Sequence, residues 1–248
     1  MAENPLPWLE PQMPFPPAHS AWGAQSTAPG LLAAGAELNV DTLKSAYGQG
    51  IFPWFSEGQP ILWWSPEPRM VLKVNDFILH RSFKKTLFRF SQDSDSEIRV
   101  DTAFEQVIQS CAQAIRLQQS GTWIVPAMVQ AYIDMHQRGY AHSIEVWKNQ
   151  QLVAGLYCIS LGQAVFGESM FTTVPDGSKI ALAALLGLCK AQGVTWIDCQ
   201  QNTTHLASLG AAPIGRTDFL RKVQAAKALP PVDWRFTPLY WNQILSSP

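Results

Sequence analysis

The chain has 248 residues, of which 47% are hydrophobic and 15% charged, and a net charge of −1. This composition excludes a disordered chain. Near-neutrality excludes a uniformly basic nucleic-acid binder while leaving room for a local basic patch.

At this length one large domain or two smaller ones are expected. The N-terminus, MAENPLPWLEPQ, is acidic and proline-broken where a secretory signal needs basic and then apolar residues, so a cytoplasmic location is expected. Residues 1 to 17 contain six prolines and predict an extended, partly mobile arm. From Leu31, LLAAGAELNVDTLKSAYGQG predicts a short helix capped by Asp41, with Leu43, Ala46 and Tyr47 on one side and Gly48 or Gly50 at its end. The segment Gly50 to Arg69 holds four prolines and three of the chain's ten tryptophans, which suits a rigid wall. A small N-terminal domain, residues 1–68, is expected to end there, with a larger one over 69–248.

Further on, Thr102 and Glu105 suggest a capping box for a helix carrying Phe104, Val107, Ile108, Cys111 and Ile115 inward up to Gly121. A second helix starts at Pro126, turns Val129, Tyr132, Ile133 and His136 inward, and stops at Gly139. HSIEVW, QLVAGLYCIS and QAVFGESMF read as a β-meander from about His142 to Phe171. Ser178 then caps a nearly all-apolar and therefore buried helix, Ile180 to Gly193, and VTWIDCQ follows as a strand. The apolar run Ile180 to Cys189 is about half the ~20 residues a membrane span needs, so no membrane partner is expected. Strand, buried helix, strand suggests a crossover into a mixed sheet, hence an α+β chain. Cys111, Cys158, Cys189 and Cys199 form no CxxC and have no histidine at ligand spacing; they read as buried thiols and no metal site is expected.

Three groups of residues can carry chemistry. In GESMF, period-two alternation puts Phe166, Glu168 and Met170 on one face; a carboxylate among apolar groups needs a cation, a substrate amine or water, unless it sits at a solvent-facing strand end. In WIDCQ, Trp196, Asp198 and Gln200 share a face, and Asp198 at a strand end can hold or deprotonate an amine, or simply cap the helix suggested by TTHLASLG. Leu79 to Arg89 carries four positive charges and no acid, suited to phosphates or to a solvated helix face. Neither GxxxxGK[ST] nor GxGxxG occurs.

The strings LLAAGAEL, YGQGIFPWF, ILWWSPEPR, GTWI, AHSIEVW, FGESMF, SKIAL, IDCQ and HLASLGA follow in one order over residues 31 to 211. Together they resemble the leucyl/phenylalanyl-tRNA–protein transferases. The resemblance implies transfer of Leu or Phe, less efficiently Met, from leucyl-tRNA or phenylalanyl-tRNA to the α-amine of acceptor proteins with N-terminal Arg or Lys, feeding the bacterial N-end degradation pathway. It also implies a small N-terminal domain followed by a GNAT-like mixed-sheet acyltransferase domain, with no metal or dissociable cofactor. One active site per chain fits a monomer.

Carried onto this sequence, the resemblance implies that Trp54 and Trp123 lie near the aminoacyl-adenosine end, where aromatic faces stack a splayed base. It implies Glu168, Asp198 and Gln200 as polar active-site groups, Met170 and Ile197 with Leu156 as the side-chain pocket, and Arg81, Lys84 and Lys85 as contacts to tRNA phosphates. Proton transfer from the amine falls either to Asp198 with Gln200 or to the ribose hydroxyls of the tRNA. The chain departs from the family pattern at Gly35-Ala36-Glu37-Leu38 (usually GGDL), at Gly48 (usually Arg) and at Val165-Phe166, the last expected to reshape the pocket. An acyl-CoA N-acetyltransferase is the nearest rival, but its [QR]xxGx[GA] pyrophosphate loop is missing. A non-catalytic tRNA-binding module would leave Glu168 and Asp198 unexplained.

Overall fold

The computed structural model describes residues 5–114 and 124–246. The proline-rich arm is extended and packed: β1 (Trp8–Leu9) pairs in parallel with β2 (Leu31–Gly35), and Leu9 and Phe15 are buried. Ala36 follows with φ +58°, a left-handed conformation that costs a residue with a Cβ.

Helix α1 (Val40–Tyr47) buries Leu43, Ala46 and Tyr47 as the periodicity predicts. Its cap is Asn39, whose Oδ1 accepts from Thr42 N at 2.8 Å, while Asp41 stands in the first turn. Strands β3 (Phe52–Pro53) and β4 (Leu62–Trp64) complete a four-stranded sheet in the order β1-β2-β4-β3. Trp64 Nε1 donates to the Trp54 carbonyl at 2.7 Å, which stiffens the wall between them.

The larger sheet begins with β5 (Arg69–Lys73). It continues through α2 (Arg81–Gln92), β6 (Ser96–Val100), α3 (Phe104–Gln113) and α4 (Pro126–Gln137). Next come the meander β7 (Ala141–Lys148), β8 (Gln151–Leu161) and β9 (Ala164–Thr172), then α5 (Gly177–Ala191) and β10 (Trp196–Gln200). The chain closes with α6 (Thr204–Ser208), β11 (Ala212–Ile214), α7 (Arg216–Lys227) and α8 (Trp241–Leu245). The sheet order is β11-β5-β10-β9-β8-β7-β6, with the β9/β10 pair parallel, so the expected α+β chain and mixed sheet are both present. The expected positions Ile115 and Gly121 lie outside the described residues.

Two further caps differ from the sequence reading. No capping box forms at α3: Thr102 N, Ala103 N and the Thr102 hydroxyl all donate to Glu145, a buried carboxylate on β7, so the cap comes from across the sheet. Helix α5 is preceded by Asp176 in a left-handed conformation, with Ser178 already in the first turn.

Alternation sends the two faces of the large sheet to separate cores. Met70, Leu72, Leu156, Val165 and Ile197 pack with α2, α5 and α8. Val71, Tyr157, Phe166 and Trp196 pack with α1, α3, α4, α7 and the small sheet.

Candidate active site

Two irregularities build the site. In β9 the pairing with β8 jumps from Cys158–Gly167 to Tyr157–Ser169, leaving Glu168 as the extra residue of a bulge. Before the bulge Phe166 faces the core of α1 and α4; after it Met170 faces the α5 core. The expected common face of Phe166, Glu168 and Met170 is therefore broken: Glu168 stays with Phe166, and Met170 turns to the other side. In β10 a second register shift falls between Asp198 and Gln200, and Gln200 takes φ +60°. The parallel pairing of β9 and β10 covers only Val165–Ile197 and Phe166–Asp198, so the strands part beyond it. A cavity of about 520 Å³ opens where they separate.

The cavity is apolar along one side, where Leu156, Met170 and Ile197 face Leu182 and Leu185 of α5, and Trp54 and Phe52 stand on its wall. Its polar end is formed by Glu168 and Gln200. Glu168 Oε1 accepts from Tyr47 OH at 2.7 Å and from Gln200 Nε2 at 2.7 Å, while Tyr132 OH reaches Oε2 at 3.4 Å. The two tyrosine hydroxyls lie 2.6 Å apart. Enclosure away from bulk water pushes the Glu168 carboxyl up to about 8, against the opposing pull of the Tyr47 hydrogen bond; Asp198 pushes in the same upward direction and Arg69 opposes it. Burial likewise raises both tyrosines well above the phenolic range.

Asp198 does not line the cavity. It is fully buried, accepts from Arg69 Nε at 2.8 Å and Nη2 at 2.6 Å, and takes a third hydrogen bond from Gln200 N at 2.9 Å. The expectation that this carboxylate faces an incoming amine is thus not met: period-two alternation places it beside Gln200 in sequence, but the bulge between them sends only Gln200 to the cavity. Val165 and Phe166 are fully buried in the two cores, and neither lines the cavity. Cys199 lies on the cavity wall, its thiol pushed up to about 12 by burial.

Arg81, Lys84 and Lys85 are brought together away from this cavity. They line a groove between α2 and the C-terminal segment, with Arg89 of the same helix and Leu239 and Trp241 on the opposite wall. Trp123 lies outside the described residues. The sequence reading did not assign site roles to Tyr47, Tyr132 or Arg69. A signal existed for the tyrosines, since an inward helical position buries a hydroxyl that must find a partner. Among the described residues no helix is long and apolar enough to cross a membrane.

Comparison with known proteins makes the chain an enzyme of the transferase class. Residues 71–224 match the family model described as Leucyl/phenylalanyl-tRNA protein transferase, and residues 36–67 match the model for the N-terminal domain of the same family. Two relatives bearing that name are close in sequence. The one from Albidiferax ferrireducens is 59% identical, covering 98% of this chain and 95% of its own length. The one from a Polaromonas species is 58% identical, over 98% and 96%. The chain belongs to the leucyl/phenylalanyl-tRNA–protein transferase family. Among solved structures, FemX aligns with TM-score 0.42 and 8% identity, over 74% of this chain and 71% of its own. A GCN5-related N-acetyltransferase from Kribbella flavida aligns at 0.36 and 9%, over 68% and 58%. These likenesses are too distant to bear on function.

Proposed function

We propose that the chain transfers leucyl or phenylalanyl groups, and methionyl groups less efficiently, from their tRNAs to the α-amine of proteins beginning with Arg or Lys. In the cell this would mark those proteins for the bacterial N-end degradation pathway in the cytoplasm. The observation that carries the reading is the cavity itself: apolar walls from Leu156, Met170, Ile197, Leu182 and Leu185, and one polar end made by Glu168 and Gln200. Such a pocket takes an unbranched, γ-branched or aromatic apolar side chain and leaves a charged one unsolvated.

The reaction is aminolysis of an ester. The acceptor nitrogen bonds to the aminoacyl carbonyl carbon, the bond to the ribose 3′-oxygen breaks, and the proton lost by the amine ends on that oxygen. Gln200, held on Glu168 through its Nε2, keeps its carboxamide oxygen for an amine N–H. Glu168 ionises readily when a substrate ammonium arrives, because the new cation offsets the desolvation that holds its proton. Asp198 is engaged three times over, so its part is to orient Gln200. This favours a ribose hydroxyl over Asp198 as the proton shuttle. Trp54 at the wall offers a face to the terminal adenine, and Arg81, Lys84 and Lys85 offer charge to phosphates.

The test is transfer of radiolabelled Leu or Phe from charged tRNA to a peptide beginning with Arg, with an Ala-initiated peptide and acetyl-CoA as controls. Label on the Arg peptide alone is expected. Acetylation from acetyl-CoA without aminoacyl transfer would overturn the reading.

A further inference from the structure

We propose that Arg69 is a positioning residue for the transfer reaction: one end of its guanidinium fixes the bulged end of β10 that aims Gln200 at Glu168, and the other fixes the segment that carries Trp54. The inference rests on the transferase reading above. Arg69 opens β5 and is fully buried. Its Nε and Nη2 grip both oxygens of Asp198, and Nη1 donates to the Gly50 carbonyl at 3.3 Å, four residues before Trp54. Its charge is sandwiched between Phe52, 4.7 Å to the ring centroid, and Phe219 of α7 at 4.6 Å.

A buried ion pair is a weak source of stability, because desolvating a guanidinium and a carboxylate offsets most of their attraction and an apolar pair would pack as well. What an apolar pair cannot supply is direction. The planar fork fixes the Asp198 carboxylate in one plane. That carboxylate in turn receives Gln200 N, and so holds a left-handed backbone that glutamine does not adopt cheaply. The Gln200 side chain leaves this turn toward Glu168. The line Gly50, Arg69, Asp198, Gln200, Glu168 therefore joins the aromatic wall of the cavity to its polar end through one side chain that never touches the cavity.

The charges facing Glu168 give a second readout. Tyr47 comes from α1, Tyr132 from α4, Asp198 from β10 and Arg69 from β5, while His205 and Cys199 also line the cavity. The Arg69 charge favours ionised Glu168 and the Asp198 charge disfavours it.

The experiment measures Leu transfer from charged tRNA to an Arg-initiated peptide across pH for the wild type, Arg69→Lys, Arg69→Met and Asp198→Asn, alongside thermal melts. Arg69→Lys keeps the cation and loses the fork. We expect kcat to fall on the order of 10²-fold, as a displacement of about 1 Å produces, with KM for charged tRNA changed by less than about threefold. The Glu168-dependent limb of the pH profile moves up in Arg69→Met and down in Asp198→Asn. If neither Arg69 variant folds, Asp198→Asn, which still offers an acceptor to the guanidinium, carries the test through its kcat loss and downward limb. Wild-type kcat and an unmoved limb in folded variants, with only the melting temperature lowered, would overturn the proposal and leave a structural pair. Failure of the wild type to transfer at all would instead overturn the transferase reading on which it rests.

Discussion

Glu168 is the residue whose surroundings depart furthest from those of an ordinary carboxylate. Two hydroxyls and a carboxamide surround it, yet enclosure outweighs their hydrogen bonds and its carboxyl holds the proton to about pH 8, against 4.5 for a free side chain. The folded state therefore keeps a proton that the unfolded state has lost between those values. Stability from this group is complete below pH 4.5, falls as pH rises, and is gone above about 8. Each pH unit within that window costs about 1.4 kcal/mol for one proton. Glu168→Gln is permanently neutral, can accept from Tyr47 and Gln200 through its carboxamide oxygen, and is expected to flatten this slope. Urea titrations of both proteins at pH 5, 6, 7 and 8 check it, and parallel curves would show that Glu168 is ionised throughout.

At the scale of elements, the hydrophobic pattern was sufficient to place α1, α4, the β7–β9 meander, α5 and β10, because α1 and α4 bury a helical stripe and the others, largely buried on both sides, read as apolar runs bounded by turn residues. They failed where one residue breaks the period. The bulges at Glu168 and between Asp198 and Gln200 decide which polar groups meet, and a bulge leaves no mark in alternation. Long-range caps were equally invisible: Glu145, 42 residues from Ala103, replaces the local box that Thr102 and Glu105 suggested. Its carboxylate also accepts from the Ser143 hydroxyl at 2.8 Å and from Trp147 Nε1 at 3.0 Å. Glu145→Ala would leave these donors and the start of α3 without an acceptor, at a cost of about 2–4 kcal/mol. A drop of that size in unfolding free energy by urea is expected, and a change under about 1 kcal/mol would mean that water replaces the carboxylate there.

Across the whole molecule, the small sheet and the large one do not own separate cores. The strand break between Trp64 and Arg69 and the two family models, 36–67 and 71–224, divide the sequence in two. The packing crosses that division: Leu32, Phe52 and Trp63 of the small sheet lie in one apolar cluster with Val71, Phe166, Trp196 and Phe219. Polar ties cross it too. Arg69 reaches back to Gly50, Arg216 Nη1 donates to the Ala18 carbonyl at 3.1 Å, and the Arg216 backbone N–H donates to Glu67. Unfolding residues up to 68 alone would therefore expose one side of Phe166 and Phe219 and strip the Gly50 partner from a buried guanidinium, penalties that the large sheet cannot recover by itself. The two units are accordingly expected to melt together. Calorimetry should show one transition with van't Hoff and calorimetric enthalpies in agreement. Two resolved transitions would mean that the small sheet folds and unfolds independently, and the wall carrying Trp54 could then open without loss of the Glu168 end.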